Sequence, residues 1–279
     1  MTAKSSSKPA SPLLIGGMHR SGTSLIANIL RKHGLQTGND CDHNGESMLF
    51  MRWNDWLLEQ TGCRWDTPEN WTNWIQPLQQ VAATQLQTAL EQPHARRAYW
   101  AKRFHPPTFF DNPSFWGWKN PRNTYTFPIW RKIFPHARMV IMTRHGVDVA
   151  ASLMLRARKE QDRWLPTQKD TPHRFITGSA RCLSLEGAFG LWEQYQIAIE
   201  QLRQKYPSDT LLLQYENLLS NPESALEAIR GFCNISRANQ PPQPTQIHTA
   251  RAEAFRDTPD LLAFAQNNAH RLQRFGYEP

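Results

Sequence analysis

The sequence predicts an α/β protein in which a central, mostly parallel sheet is flanked by helices. Three stretches carry that prediction. Leu13–Met18 is a short apolar run that ends in glycines and opens a helical pattern reaching His33. Arg138–Thr143 (RMVIMT) leads into helical spacing over Val147–Ala157. Thr210–Tyr215 (TLLLQY) precedes a helix that opens at Asn221-Pro222 and runs through Phe232. Strands that alternate with helices in this way are joined by crossovers, so they lie parallel with both faces covered.

The elements follow in order. After Gly22, Leu25, Ile26, Ile29 and Leu30 recur at helical spacing; Arg31, Lys32 and His33 fill the last turn and Gly34 ends it. Met48–Gln92 is Trp-rich and reads as helical, with a break at Thr67-Pro68. Trp116–Lys119 is a short strand ending in Lys-Asn-Pro-Arg, and Ser179–Tyr206 is a long helix. Gln240-Pro-Pro-Gln-Pro forms a loop, and a helix over about Pro259–Arg274 closes the chain. This organisation is one domain over residues 12–279, with a Trp-rich helical insertion at about 48–110. Residues 1–11 are polar and proline-bearing, which predicts a disordered leader rather than a signal peptide.

A chain of 279 residues suffices for one large α/β domain. Cys41, Cys63, Cys182 and Cys233 are scattered without C-x-x-C spacing, as expected of reduced thiols in a cytoplasmic protein. No run approaches the ~18 apolar residues of a membrane helix, so no membrane partner is expected. The net charge of +8 is concentrated: Arg96 to Arg174 holds 16 Lys/Arg against 5 Asp/Glu. A basic middle in an otherwise near-neutral chain points to a polyanionic ligand on one face. The basic residues form no single run and no nucleic-acid motif, so a small, highly charged nucleotide is expected rather than DNA or RNA. None of the ten histidines forms an H-x-x-x-H pair, and no metal site is predicted.

Gly17–Ser24 fits G-x-x-x-x-G-x-[ST] between a strand and a helix, a fold of P-loop type. Backbone N–H groups of Ser21, Gly22, Thr23 and Ser24, with the Thr23 and Ser24 hydroxyls, suit a bound anion. The position at which a nucleotide-binding P-loop carries lysine is Thr23, whereas the charge sits at Arg20, next to His19. That displacement points away from ATP hydrolysis. The missing Lys-Ser/Thr pair also removes the usual seat for Mg²⁺. A second constellation spans Phe134–Arg156. Arg144 ends a strand, Ser152 lies eight residues on, and Arg156 follows one helical turn later on the same face. Two guanidinium groups and a hydroxyl so placed suit a phosphate monoester. The same residues also fit a surface helix in which Arg144 pairs with Asp148.

Together the two constellations resemble the sulfotransferases that use 3′-phosphoadenosine 5′-phosphosulfate (PAPS). HRSGTS at His19–Ser24 is similar to their 5′-phosphosulfate loop, and R-x7-S at Arg144–Ser152 to their 3′-phosphate motif. WGWKNPRNTY (Trp116–Tyr125) resembles a Trp-x-x-Lys-Asp-Pro-Arg segment, with Asn120 where Asp is usual. LLLQYENLLSNPESAL (Leu211–Leu226) and Phe275-Gly276-Tyr277 look like elements of the bacterial members. Arg20 in the loop and Arg156 after the serine look most like the tyrosylprotein branch and its bacterial relatives.

The resemblance implies PAPS as co-substrate, no metal, and in-line transfer of a sulfuryl group to a hydroxyl or amine. Arg20 would hold the bridging and sulfate oxygens, and Lys119 would be a second transition-state cation. Arg144 and Ser152, with Arg156, would hold the 3′-phosphate, and Tyr215 would contact the nucleotide. Gly17 and His19 belong to the donor loop. Asp40, Asp42, His43 and Glu46 are candidate bases. Gly45-Glu46 matches a Gly-Glu pair of related members, so Glu46 is the first choice and His43 the reserve; Glu46 equally suits a cap on the Met48 helix. Trp53, Trp56, Trp65, Trp71 and Trp74 either line an acceptor pocket or form core. The acceptor stays open among small-molecule, glycan and peptide hydroxyls, as does the oligomeric state. The competing readings are a P-loop kinase using ATP and Mg²⁺, and a basic module that retains polyanionic glycans.

Overall fold

The computed structural model describes residues 11–100, 108–112, 114–164, 178–235 and 252–279. The expected leader, except residue 11, and the Gln240 loop lie outside the described residues. Four parallel strands form one sheet in the order β2-β1-β3-β4. They are β1 (Leu13–Gly17), β2 (Gly117–Lys119), β3 (Arg138–Thr143) and β4 (Thr210–Gln214). Leu13 stands opposite Gly117 on one side and Arg138 on the other, and Thr143 is paired with Gln214. Because all four run the same way, their C-terminal ends meet at one edge of the sheet.

Helices cover both faces. They are α1 (Thr23–Lys32), α2 (Met48–Glu59), α3 (Trp71–Ile75), α4 (Gln79–Glu91), α5 (Pro93–Trp100), α6 (Asn123–Ile133), α7 (Gly146–Trp164), α8 (Leu185–Lys205), α9 (Tyr215–Ser220), α10 (Pro222–Cys233), α11 (Pro259–Asn267) and α12 (Ala269–Gln273). The strand period of two divides the core. Leu14, Met139 and Ile141 pack on the face of α2, α4, α6, α7 and α8, while Leu13, Ile15, Val140 and Met142 pack on that of α1, α9 and α10. Trp116, Trp118, Trp130 and Trp192 are fully buried, and Phe50 of α2 stacks on Trp118 at 3.7 Å. Among the described residues no helix is long and apolar enough to cross a membrane.

Three boundaries differ from the sequence expectation. The closing helix is broken at Asn268, whose side-chain amide donates to the Phe264 carbonyl at 2.9 Å and so competes with the backbone ladder. The long helix expected from Ser179 begins only at Leu185, where the Ser184 hydroxyl accepts the Gly187 N–H. The helix expected over Val147–Ala157 runs on to Trp164.

Gly17 closes β1 at φ +123°, and a Cβ there would lie 2.1 Å from the Met142 carbonyl oxygen. β1 and β3 therefore approach closely just where the loop into α1 begins. Gly17→Ala should lower stability by about 2–4 kcal/mol in urea unfolding, and wild-type stability in this variant would contradict that account.

Candidate functional site

A cleft of about 370 Å³ opens at the sheet edge where the four strands end. Its floor is the turn between β1 and α1. Gly22 takes a left-handed conformation (φ +94°), and α1 starts at Thr23. Helix geometry leaves the Thr23 and Ser24 N–H groups without an intrahelical acceptor, so they face an incoming anion. Ser21 serves the loop itself: its N–H donates to Met18 O, and its buried hydroxyl lies 2.6 Å from that oxygen and 2.9 Å from Met142 O. Gly17 likewise gives its N–H to Thr124 Oγ1 at 3.0 Å. Of the four N–H groups expected around a phosphate, that of Ser21 is used inside the turn.

Among the described residues, five cationic side chains reach the cleft, each against a partner. Arg20, at φ +70°, donates from Nε to Ser152 Oγ at 2.8 Å. That bond joins the two constellations picked out in the sequence. Lys119 Nζ ends β2 and pairs with Glu46 Oε1 at 2.8 Å, the two side chains being 3% and 7% exposed. Arg122 lies 3.8 Å from Glu46 and 2.5 Å from Asp55 of α2. Arg144 follows β3, pairs with Asp148 at 2.8 Å, and sits over the Tyr215 ring at 4.8 Å. Arg156, one turn beyond Ser152 on α7, pairs with Glu160 at 3.6 Å and lies over Trp65 at 5.0 Å. His19 stands edge-on to Trp65 at 4.7 Å, and its buried Nε2 has no hydrogen-bond partner among the described residues. Burial, reinforced by Arg122, Arg156, Lys119 and Arg20, holds its pKa well below the usual range.

The cleft thus gathers His19, Arg20, Gly22, Thr23, Ser24, Glu46, Lys119, Arg144, Arg156 and Tyr215, with Ser152 reached through Arg20. It does not gather His43, whose side chain is 88% exposed in a neighbouring polar depression, 3.0 Å from the Asn44 amide. Ser47 caps α2 by accepting the Phe50 N–H, so the Glu46 carboxylate is not spent on that cap. Trp53, Trp56 and Trp65 pack against the core and Trp71 is buried in it; Trp65 also lies against His19 and Arg156 of the cleft, and the Trp74 side chain lies outside the described residues. Sequence reasoning gave no role to Arg122 or to the Asn120 amide, which donates to Glu46 Oε2 at 2.8 Å. The signal lay within the WGWKNPR stretch, where both follow Lys119 closely.

A model of the family described as "Sulfotransferase family" matches residues 12–239. Among solved structures, the chain is similar to the sulfotransferase domain from the curacin biosynthetic pathway, at 13% identity and TM-score 0.49 over 94% of this chain and 98% of that one. It is similar to sulfotransferase STF9 from Mycobacterium avium, at 13% identity and TM-score 0.47 over 98% and 78%. It is also similar to the sulfotransferase domain of the Synechococcus PCC 7002 olefin synthase, at 16% identity and TM-score 0.47 over 94% and 95%. No curated protein matches the sequence. At these identities and scores, membership rests on the family match.

Two outcomes follow from the geometry. Lys119→Ala leaves Glu46 buried without its ammonium partner and should cost about 3–5 kcal/mol in denaturant unfolding; a loss below 1 kcal/mol would show that the pair is solvated. His19 is held neutral in the fold but takes a proton in the unfolded chain below its ordinary value of 6.5. The unfolded state then binds more protons, so stability falls as pH drops from 7 to 5. His19→Phe should flatten that slope in melts across this range, and an unchanged slope would contradict the assignment.

Proposed function

The chain belongs to the sulfotransferase family, and we propose that it transfers a sulfuryl group from PAPS to an acceptor hydroxyl or amine, releasing adenosine 3′,5′-bisphosphate. The observation that carries this reading is the Arg20–Ser152 contact: the loop suited to a phosphosulfate and the arginine–serine pair suited to a second phosphate share one cleft. The Thr23 and Ser24 N–H groups would take the 5′-phosphate, with Arg20 on the bridging and sulfate oxygens. Arg144, Ser152 and Arg156 would hold the 3′-phosphate, and Tyr215 the nucleoside. The buried position of Glu46, against the exposed one of His43, favours Glu46 as base. Arg20 in the loop together with Arg156 after the serine supports a place near the tyrosylprotein branch. The unpaired cysteines support a cytoplasmic setting.

The chemistry asked of these residues is positioning and charge stabilisation. The acceptor oxygen attacks sulfur as the bond from sulfur to the bridging phosphate oxygen breaks. Arg20 and Lys119 offset the charge that grows on the departing phosphate. The acceptor's proton passes to a Glu46 oxygen. Each part is supplied by a side chain already held at the sheet edge, and no step calls on a metal.

Labelled PAPS and a panel of carbohydrate, phenolic and peptide acceptors test the reading. Arg20→Ala should lower transfer by roughly 10²–10³. Wild-type transfer should persist in EDTA. Transfer from ATP in place of PAPS, or dependence on Mg²⁺, would favour a kinase instead. By calorimetry, adenosine 3′,5′-bisphosphate should bind at least about tenfold more tightly than AMP, a preference that Arg144→Ala removes. Equal affinity for both in the wild type would count against the 3′-phosphate site.

A further inference from the structure

Glu46 is the end of a chain of buried amides that runs into the core. Asn54 of α2, Asn120 after β2 and Asn123 of α6 are each 0% exposed. Two indoles, which donate and never accept, settle the direction of the hydrogen bonds. Trp130 Nε1 and the Thr126 hydroxyl both donate to Asn54 Oδ1, each at 2.8 Å. With that oxygen filled, Asn54 turns its amide N–H groups to Asn123 Oδ1 at 2.9 Å and Asn120 Oδ1 at 3.3 Å. Trp118 Nε1 donates to Asn123 Oδ1 as well, at 3.0 Å. Asn120 Oδ1 also accepts the Arg122 N–H at 2.9 Å. The Asn120 amide nitrogen is thereby committed to Glu46 Oε2 at 2.8 Å, while Lys119 donates to Oε1 at 2.8 Å. Reversing Asn54 or Asn120 would set donor against donor in a dry site, so the polarity of the whole chain is fixed from its far end.

We propose that Asn120, backed by Asn54, is a positioning residue for the transfer: it locks the Glu46 carboxylate beside Lys119 in the orientation from which it takes the acceptor's proton. This rests on the reading of Glu46 as the base. Neither asparagine needs to touch donor or acceptor. Their work is to deny the carboxylate any rotation when the acceptor arrives, so that proton transfer meets a preorganised oxygen. The charged groups facing Glu46 are Lys119 from β2 and Arg122 ahead of α6; Asp55 of α2 lies behind Arg122, and Asp42 accepts the Glu46 N–H at 2.7 Å.

Asn120→Asp tests the claim, because it keeps the side chain's shape and accepting oxygen but replaces the donor with a carboxylate oxygen. At pH 8, kcat should fall about tenfold or more, with donor KM and the bisphosphate Kd within about threefold of wild type. The deficit should narrow as the pH is lowered, because two close carboxyls come to share a proton and the protonated Asp again donates to Glu46. Asn120→Ala should show the kcat loss without recovery at low pH. It carries the test, together with Asn54→Ala, should Asn120→Asp fail to bind the bisphosphate. Variants whose kcat tracks wild type at every pH, or whose kcat and donor KM worsen together at every pH, would overturn the proposal. Glu46→Gln separates the two levels. Full activity in that variant overturns the base and the positioning role together, whereas a dead Glu46→Gln beside active Asn120 variants overturns positioning alone.

Discussion

Like-charge repulsion at the sheet edge is the constraint on which the rest of this structure turns. Arg20, Lys119, Arg122, Arg144 and Arg156 converge on a cleft of about 370 Å³, which among the described residues is lined by two carboxylates, those of Asp42 and Glu46. Such a cluster is unfavourable unless each charge is held against something. Lys119 is held by Glu46, Arg122 by Asp55, Arg144 by Asp148 and Tyr215, Arg156 by Glu160 and Trp65, and Arg20 contacts the Ser152 hydroxyl. Glu46 and Tyr215 line the cleft beside the cations they hold, whereas Asp55, Asp148, Ser152, Glu160 and Trp65 do not line it. His19 adapts in the other way, by remaining neutral.

The fold supplies the convergence. Parallel strands end together, and each strand end is followed within a few residues by a chemical group: Arg20 after β1, Lys119 at the end of β2, Arg144 after β3 and Tyr215 after β4. β1 lies between β2 and β3, which brings the loop after β1 between Lys119 and the arginine–serine pair. Residues far apart in sequence thereby become neighbours without any long side-chain reach. The buried amide chain adds stiffness where the Glu46 carboxylate and the Lys119 ammonium meet, both almost fully buried.

Much of this was legible in the sequence, because it depends on local pattern. The strands at Leu13, Arg138 and Thr210 are continuous apolar runs, and the loop residues His19–Ser24 are contiguous. Ser152 and Arg156 are related by helix spacing, and Arg144 ends the strand that leads into their helix. What was hidden depends on contacts across the fold. Nothing in the spacing of Asn54, Asn120 and Asn123 reveals that two indoles fix their polarity. His43 and Glu46 lie three residues apart, and only the resemblance of Gly45-Glu46 to related members ranked Glu46 first; the turn at Gly45 sends His43 outward and buries Glu46. The tryptophans of the helical insertion were ambiguous for the same reason, since an indole that backs a cleft and one that fills a core have the same sequence signature.

A crystal structure of the protein grown with adenosine 3′,5′-bisphosphate tests the central claim most directly. The account predicts one phosphate on the Thr23 and Ser24 amides and the other against Arg144, Ser152 and Arg156. A nucleotide bound elsewhere, or one seated in the cleft with its 3′-phosphate turned to solvent, would contradict it.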